Sequence, residues 1–144
     1  MNTSRKTFEI KDRKVILSTL WIFEVLNYLY CDVFGGKDPE AVKQLISGTV
    51  GSIQMTEGFL LGAAILMETS IAMVLLSRVL KYGANRWANI IVGIINTAAV
   101  SLSLFATGIT PTLYYMFFAA IEIPCTLFIV WYAWKWPNPE DQPK

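Results

Sequence analysis

The chain has 144 residues, of which 54% are hydrophobic and only 16% charged, with a formal net charge of +1. Soluble domains are nearer a quarter charged, so this composition indicates a membrane protein, and the near-neutral balance speaks against nucleic acid as a partner. Histidine is absent and cysteine occurs twice, which argues against His-ligated haem, most zinc sites and a disulfide scaffold.

A hydrocarbon core about 30 Å thick needs roughly 20 apolar residues of helix to cross it. Four stretches meet that requirement. The first runs over 15–34 and follows Arg5, Lys6, Lys11, Arg13 and Lys14. It is expected to be retained rather than cleaved as a signal peptide. It is too long, carries Glu24 and Asn27, and lacks a small-residue cleavage pattern. A connection follows in which Asp38 can cap a short helix over 39–47, Pro39 suits its first position and Gly48 its end. Ala41, Val42, Leu45 and Ile46 would share one face of it, so the helix is expected on the outer membrane surface or across the end of the bundle.

The second and third spans are expected over 59–80 and 87–106. Arg78, Lys81 and Arg86 cluster around the turn between them. The fourth span, over 113–134, is followed by Pro137 and Pro139 and a polar tail over 137–144. The other two connections hold only Lys37 and Lys43. The positive-inside rule then sets both termini and the second turn in the cytoplasm. Trp87, Trp131, Trp134 and Trp136 would anchor that face. The expected fold is all-α: a single integral membrane domain over 1–144, built as a four-helix bundle with a short extra helix in the first outer loop. The expected location is the cell (inner) membrane, multi-pass.

The functional signal lies inside the spans. A charge at the bilayer centre costs about 2.5–3.5 kcal/mol on insertion scales. Glu24, Glu68 and Glu122 are each the tenth residue of their span, as is Asn96, so all four should sit near one depth. Glu24, Asn27, Tyr28 and Cys31 share one face of the first span by i, i+3, i+4, i+7 spacing. Asn89, Gly93, Asn96 and Ser103 form a stripe on the third. Tyr115, Glu122 and Thr126 share a face of the fourth, with Cys125 beside them. Lipid penalises polar stripes, so these faces are expected to turn inward and form a polar seam. Pro124 removes the helical partner of the Ala120 carbonyl one turn from Glu122. At least two of the three acids are expected to be protonated at neutral pH when the site is empty.

Three functions compete on this basis. The first is a membrane protein that binds or transports a small molecule or cation. Glu24, Glu68 and Glu122 would be its proton-exchanging groups, and Asn96, Asn27 and Tyr28 would orient them. The second is a membrane enzyme or redox subunit acting on a quinone or lipid, which the missing histidine and metal motifs make less favoured than a non-enzyme. The third is an accessory subunit in which the acids are helix-packing glue, worth about 0.6 kcal/mol each. No cofactor or metal is expected, and homodimerisation is left open.

The segments KVILSTLWIFEVLN (14–27), FLLGAAILMETSIAMVLLSRVLKY (59–82), ANRWANIIVGI (84–94) and WYAWKWPNPE (131–140) together resemble a family of small bacterial, and some archaeal, four-span membrane proteins of unknown function. The resemblance covers nearly the whole chain. It implies the four-helix membrane plan and no activity. In overall plan the chain is also similar to the DoxX-like group, some of which are linked to membrane redox chemistry, a likeness of architecture alone.

Overall fold

The computed structural model describes residues 2–106, 108 and 110–137, with side chains from residue 12 onward. The side chains of Arg5, Lys6 and Lys11, and the tail with Pro139 and Lys144, lie outside the described residues. Five helices follow in order: α1 (Asn2–Gly35), α2 (Pro39–Ser47), α3 (Glu57–Val79), α4 (Tyr82–Ala106) and α5 (Leu113–Trp134). Four of them are long and apolar enough to cross a membrane. α1 begins well before its apolar run, because the charged segment ahead of it continues the same helix. α4 likewise starts a turn early, at Tyr82.

Local chemistry sets the helix ends. Asp38 accepts the Glu40 N–H at 3.0 Å at the start of α2. Gly48 closes that helix in the left-handed conformation (φ 72°), where a side chain would be strained. On α2, Ala41 and Val42 are half-buried, whereas Leu45 and Ile46 stay exposed. Lys43 pairs with Glu40 at 2.6 Å, and that carboxylate pushes the Lys43 ammonium up from its ordinary value. A two-residue turn at Gly51 and Ser52 then joins β1 (Thr49–Val50) to β2 (Ile53–Gln54), a small antiparallel hairpin that the sequence pattern does not announce. Thr56 caps α3 by accepting the Phe59 N–H at 3.1 Å.

The four long helices pack as a ring, α1–α3–α4–α5, which closes through α5 and α1. α4 packs most extensively on α5, and α3 and α4 touch least. At Gly93 a Cβ would come within 2.6 Å of Val130 and 3.4 Å of the Thr126 carbonyl, so only glycine lets α4 lie this close to α5. The apolar core comprises Leu17, Trp21, Met73, Ile90, Ile129, Ala133 and Trp136. All of it lies in the half of the bundle that carries the α3–α4 turn and the end of α5. Trp136, expected as an interfacial anchor, belongs to this core and packs edge-on against Tyr82 at 5.3 Å. Its neighbours Trp87, Trp131 and Trp134 are exposed.

Burial thins out toward the α2 end. Beyond Glu24, Asn96 and Glu122 in that direction, Cys31 and Ala119 are the buried residues among those described. The first turns of α3, Glu57 to Ile65, are exposed throughout. The bundle is thus tightly packed at one end and loosely packed at the other, and the midspan acids mark the boundary.

Candidate functional site

Glu24 on α1 and Glu122 on α5 turn into the bundle and are 0% and 4% exposed. Their charges are close enough to interact with each other and with Tyr28. Tyr28 and Cys125 border the Glu24 carboxyl. Tyr28 also donates its hydroxyl to the Asn96 side-chain oxygen at 3.3 Å, and Ser70 on α3 donates to the same oxygen at 3.0 Å. On the α5 side, Thr97 donates to the Thr126 hydroxyl at 2.7 Å, and Thr126 bonds back to the Glu122 carbonyl at 3.0 Å. All four long helices therefore contribute a polar side chain at one level.

Both carboxylate oxygens of Glu24 and Oε1 of Glu122 are buried with no hydrogen-bond partner among the described residues. Buried polar groups in proteins are nearly always bonded; among the described residues the other buried side-chain atom without a partner is Arg86 Nε, at the packed end of the bundle. Two turns away, Trp21 donates its indole N–H to Asn89 Oδ1 at 2.7 Å, and Ser77 donates to the same oxygen at 3.3 Å. Asn89 donates to Asn85 Oδ1 at 2.7 Å, and Asn85 donates to the Ser77 carbonyl at 2.6 Å. A fold that satisfies four buried polar side chains so fully leaves the Glu24 carboxyl with Tyr28 and Cys125 alongside it but no hydrogen bond of ordinary geometry, and leaves Oε1 of Glu122 without a partner.

Three expectations need correction. Glu68 does not join the other acids. Ser70, Met73 and Ser77 form the buried face of α3, and Glu68 is exposed on the far side. Asn27 makes no bond to either acid: its amide donates to the Phe23 carbonyl of its own helix at 2.8 Å. Asn96 sits at the site, yet its amide donates to the Val92 carbonyl at 2.9 Å while its oxygen takes the two hydroxyls. It braces the site and makes no bond to either acid.

Sequence reasoning also misses Ser18, Trp21, Ser70, Ser77 and Asn85 as buried polar positions. Extending the Asn89–Gly93–Asn96 stripe one turn back would have reached Asn85. Nothing in the largely apolar α3 marks Ser70 and Ser77, rather than Glu68, as its inner face.

The packed end is held by cations on helix C-termini, where carbonyls lack helical partners. Lys14 donates to the Leu80 carbonyl at 2.5 Å, just past the end of α3. Arg13 donates to the Tyr132 carbonyl at 3.4 Å and lies 4.8 Å from that ring. Arg86 donates to the Trp134 carbonyl at 3.1 Å. Arg78 donates to Ser18 at 2.9 Å. These cations are committed to the bundle's end and none reaches Glu24 or Glu122. Toward the α2 end the site continues through buried Cys31 to half-buried Tyr115, which shares a hydroxyl hydrogen bond with Ser103, and to exposed Asp32. Cys31 and Cys125 are free thiols.

The chain belongs to a family of unknown function (DUF6326), whose profile matches residues 5–142. No curated protein and no solved structure matches it.

Proposed function

We propose that the chain is a membrane protein that binds a proton or a small cation at the Glu24–Glu122 pair and carries it part or all of the way across the bilayer. The observation behind this reading is the set of three buried carboxylate oxygens without partners. An isolated ionised carboxyl in an apolar interior is very costly, so it takes up a proton or a counter-ion. No described lysine or arginine supplies one. A protonated acid used only as glue would instead be bonded to a neighbour, as Asn85 and Asn89 are.

The loosely packed end offers the approach. Asp32, Tyr115 and Cys31 lead from the α2 end toward Glu122, whereas Trp21, Leu17, Met73 and Ile129 close the opposite side. With both termini in the cytoplasm of a cell-membrane protein, as the basic residues argue, the site loads from outside. Asp32 at the mouth would draw cations inward.

The test is proton flux in lipid vesicles that hold the full chain and a pH-sensitive dye, driven by an imposed pH gradient. Native protein and Glu68→Gln should conduct, and Glu24→Gln and Glu122→Gln should not. Equal flux in all four, or none above protein-free vesicles in the native protein, rejects the reading. The alternative, a DoxX-like membrane enzyme acting on a quinone or lipid, draws on the phenol of Tyr28 and the thiol of Cys125 beside Glu24. A quinone that co-purifies with native protein and is lost in Glu24→Gln would favour it.

A further inference from the structure

Glu68 is the central residue of α3 (Glu57–Val79), yet it faces away from its own bundle. At about 100° per residue, position 68 falls almost opposite the mean direction of buried Ser70, Met73 and Ser77. It makes no hydrogen bond or ion pair with any described residue. Acids in membrane helices face a bundle interior or a watery cavity and pair there, because lipid offers them nothing. In a single copy of this chain Glu68 has no such interior, because it is exposed on the outer side of α3.

The residues around Glu68 form an ordered seam. Leu61, Ile65, Glu68, Ala72, Leu75 and Val79 follow one another at intervals of four, three, four, three and four. This is the 3.5-residue repeat by which two helices supercoil. Leu61, Ile65, Leu75 and Val79 are the four most exposed large apolar residues of α3, at 58% to 72%. Of the four spans, α3 is the most apolar and the least covered by the rest of the chain.

We infer that α3 is the interface of a homodimer, with Glu68 meeting Glu68 of a second copy on a two-fold axis normal to the membrane. The self-complementarity follows from insertion. Two copies inserted the same way bring position 68 to the same depth, where each side chain finds in its twin the polar partner that lipid does not supply. A different membrane protein would need its own acceptor at that depth. The single polar position fixes the register of the pair, as polar residues do in other helical seams. Ala72 beside it lets the helices approach.

The test is oxidative cross-linking of the full chain in lipid bilayers, with single cysteines added at Leu61→Cys or Leu75→Cys on the seam. Ile94→Cys on α4 and Phe117→Cys on α5 serve as exposed controls, and native protein shows whether Cys31 and Cys125 contribute. The seam variants should give a covalent dimer as the main product, and the controls and native protein should stay monomeric. On dilution into lipid, Glu68→Gln should retain the dimer, while Glu68→Leu should weaken association roughly three- to twentyfold, the range expected of one interhelical hydrogen bond in a membrane. Cross-linking that is equal on all faces, or a chain that stays monomeric at every protein-to-lipid ratio, overturns the inference. So does a seam found covered by a different protein. None of these readouts requires the Glu24–Glu122 site to work.

Discussion

Trp21 donates its indole N–H to the side-chain oxygen of Asn89 at 2.7 Å, with both residues fully buried. The bond crosses the bundle from α1 to α4, helices that are not neighbours in the packed ring. It belongs to the network that Asn85 and Ser77 complete. Trp21→Phe keeps most of the ring volume but removes the donor. Asn89 Oδ1 retains only the longer bond from Ser77, so the variant should lose about 1–3 kcal/mol, read as earlier unfolding on titration with a denaturing detergent.

Glu24 and Glu122 should respond in the opposite sense. Both oxygens of Glu24 and Oε1 of Glu122 have no hydrogen-bond partner among the described residues, so replacing either carboxyl with an apolar side chain of similar size removes a desolvation cost. Glu24→Leu and Glu122→Leu should unfold at higher detergent than native protein, by an amount equivalent to about 1–3 kcal/mol each, while flux is lost. Sites kept for function often cost stability in this way. Lower stability in both variants would mark the acids as packing glue.

Gly93 and Gly62 provide a matched pair on packing. A Cβ at position 93 would meet Val130 at 2.6 Å, whereas one at position 62 has nothing within 4 Å. Gly93→Ala should push α4 from α5 and cost about 1–3 kcal/mol. Gly62→Ala should be neutral or stabilise α3 by up to about 1 kcal/mol. Unfolding curves of the two variants, measured side by side, check this.

Lys14 closes the end of α3 through the Leu80 and Arg78 carbonyls at 2.5 and 3.4 Å. Lys14→Met should lower stability by about 0.3–2 kcal/mol, the range for a cation at a helix C-terminus. Amide exchange should rise first at Leu80, whose N–H bonds to Leu76 at the end of that helix. Unchanged exchange there would show that the lysine does not hold the turn.

The membrane helices are legible in the sequence because an apolar run of about 20 residues rarely suits anything but a bilayer crossing. The inward turn of Glu24 and Glu122 is legible as well, since each shares its helix face with other polar residues: Tyr28 and Cys31 with the first, Tyr115 and Thr126 with the second. α3 has no such stripe. Its few polar residues form no stripe, so its one midspan acid, Glu68, is expected inward by default, while two serines and a methionine mark its true inner face. Trp136 misleads for a related reason. A tryptophan at a helix end reads as an interfacial anchor, and only the fold brings Tyr82 against its ring and hydroxyl-bonds its carbonyl at 2.8 Å. The missing partners of the two acids have no trace in the sequence at all, because they depend on where every neighbouring donor is already committed.

Infrared difference spectroscopy of the full chain in lipid bilayers, following carboxyl stretching bands as pH is raised or methylammonium is added, is the most direct test. If Glu24 and Glu122 form one exchanging site, a protonated-carboxyl band gives way to carboxylate. It diminishes in Glu24→Gln and in Glu122→Gln, and in each variant the remaining acid's band shifts because its neighbour has gone. Two bands that ignore each other's substitution, and that stay fixed at every pH at which the bundle is folded, would contradict the account.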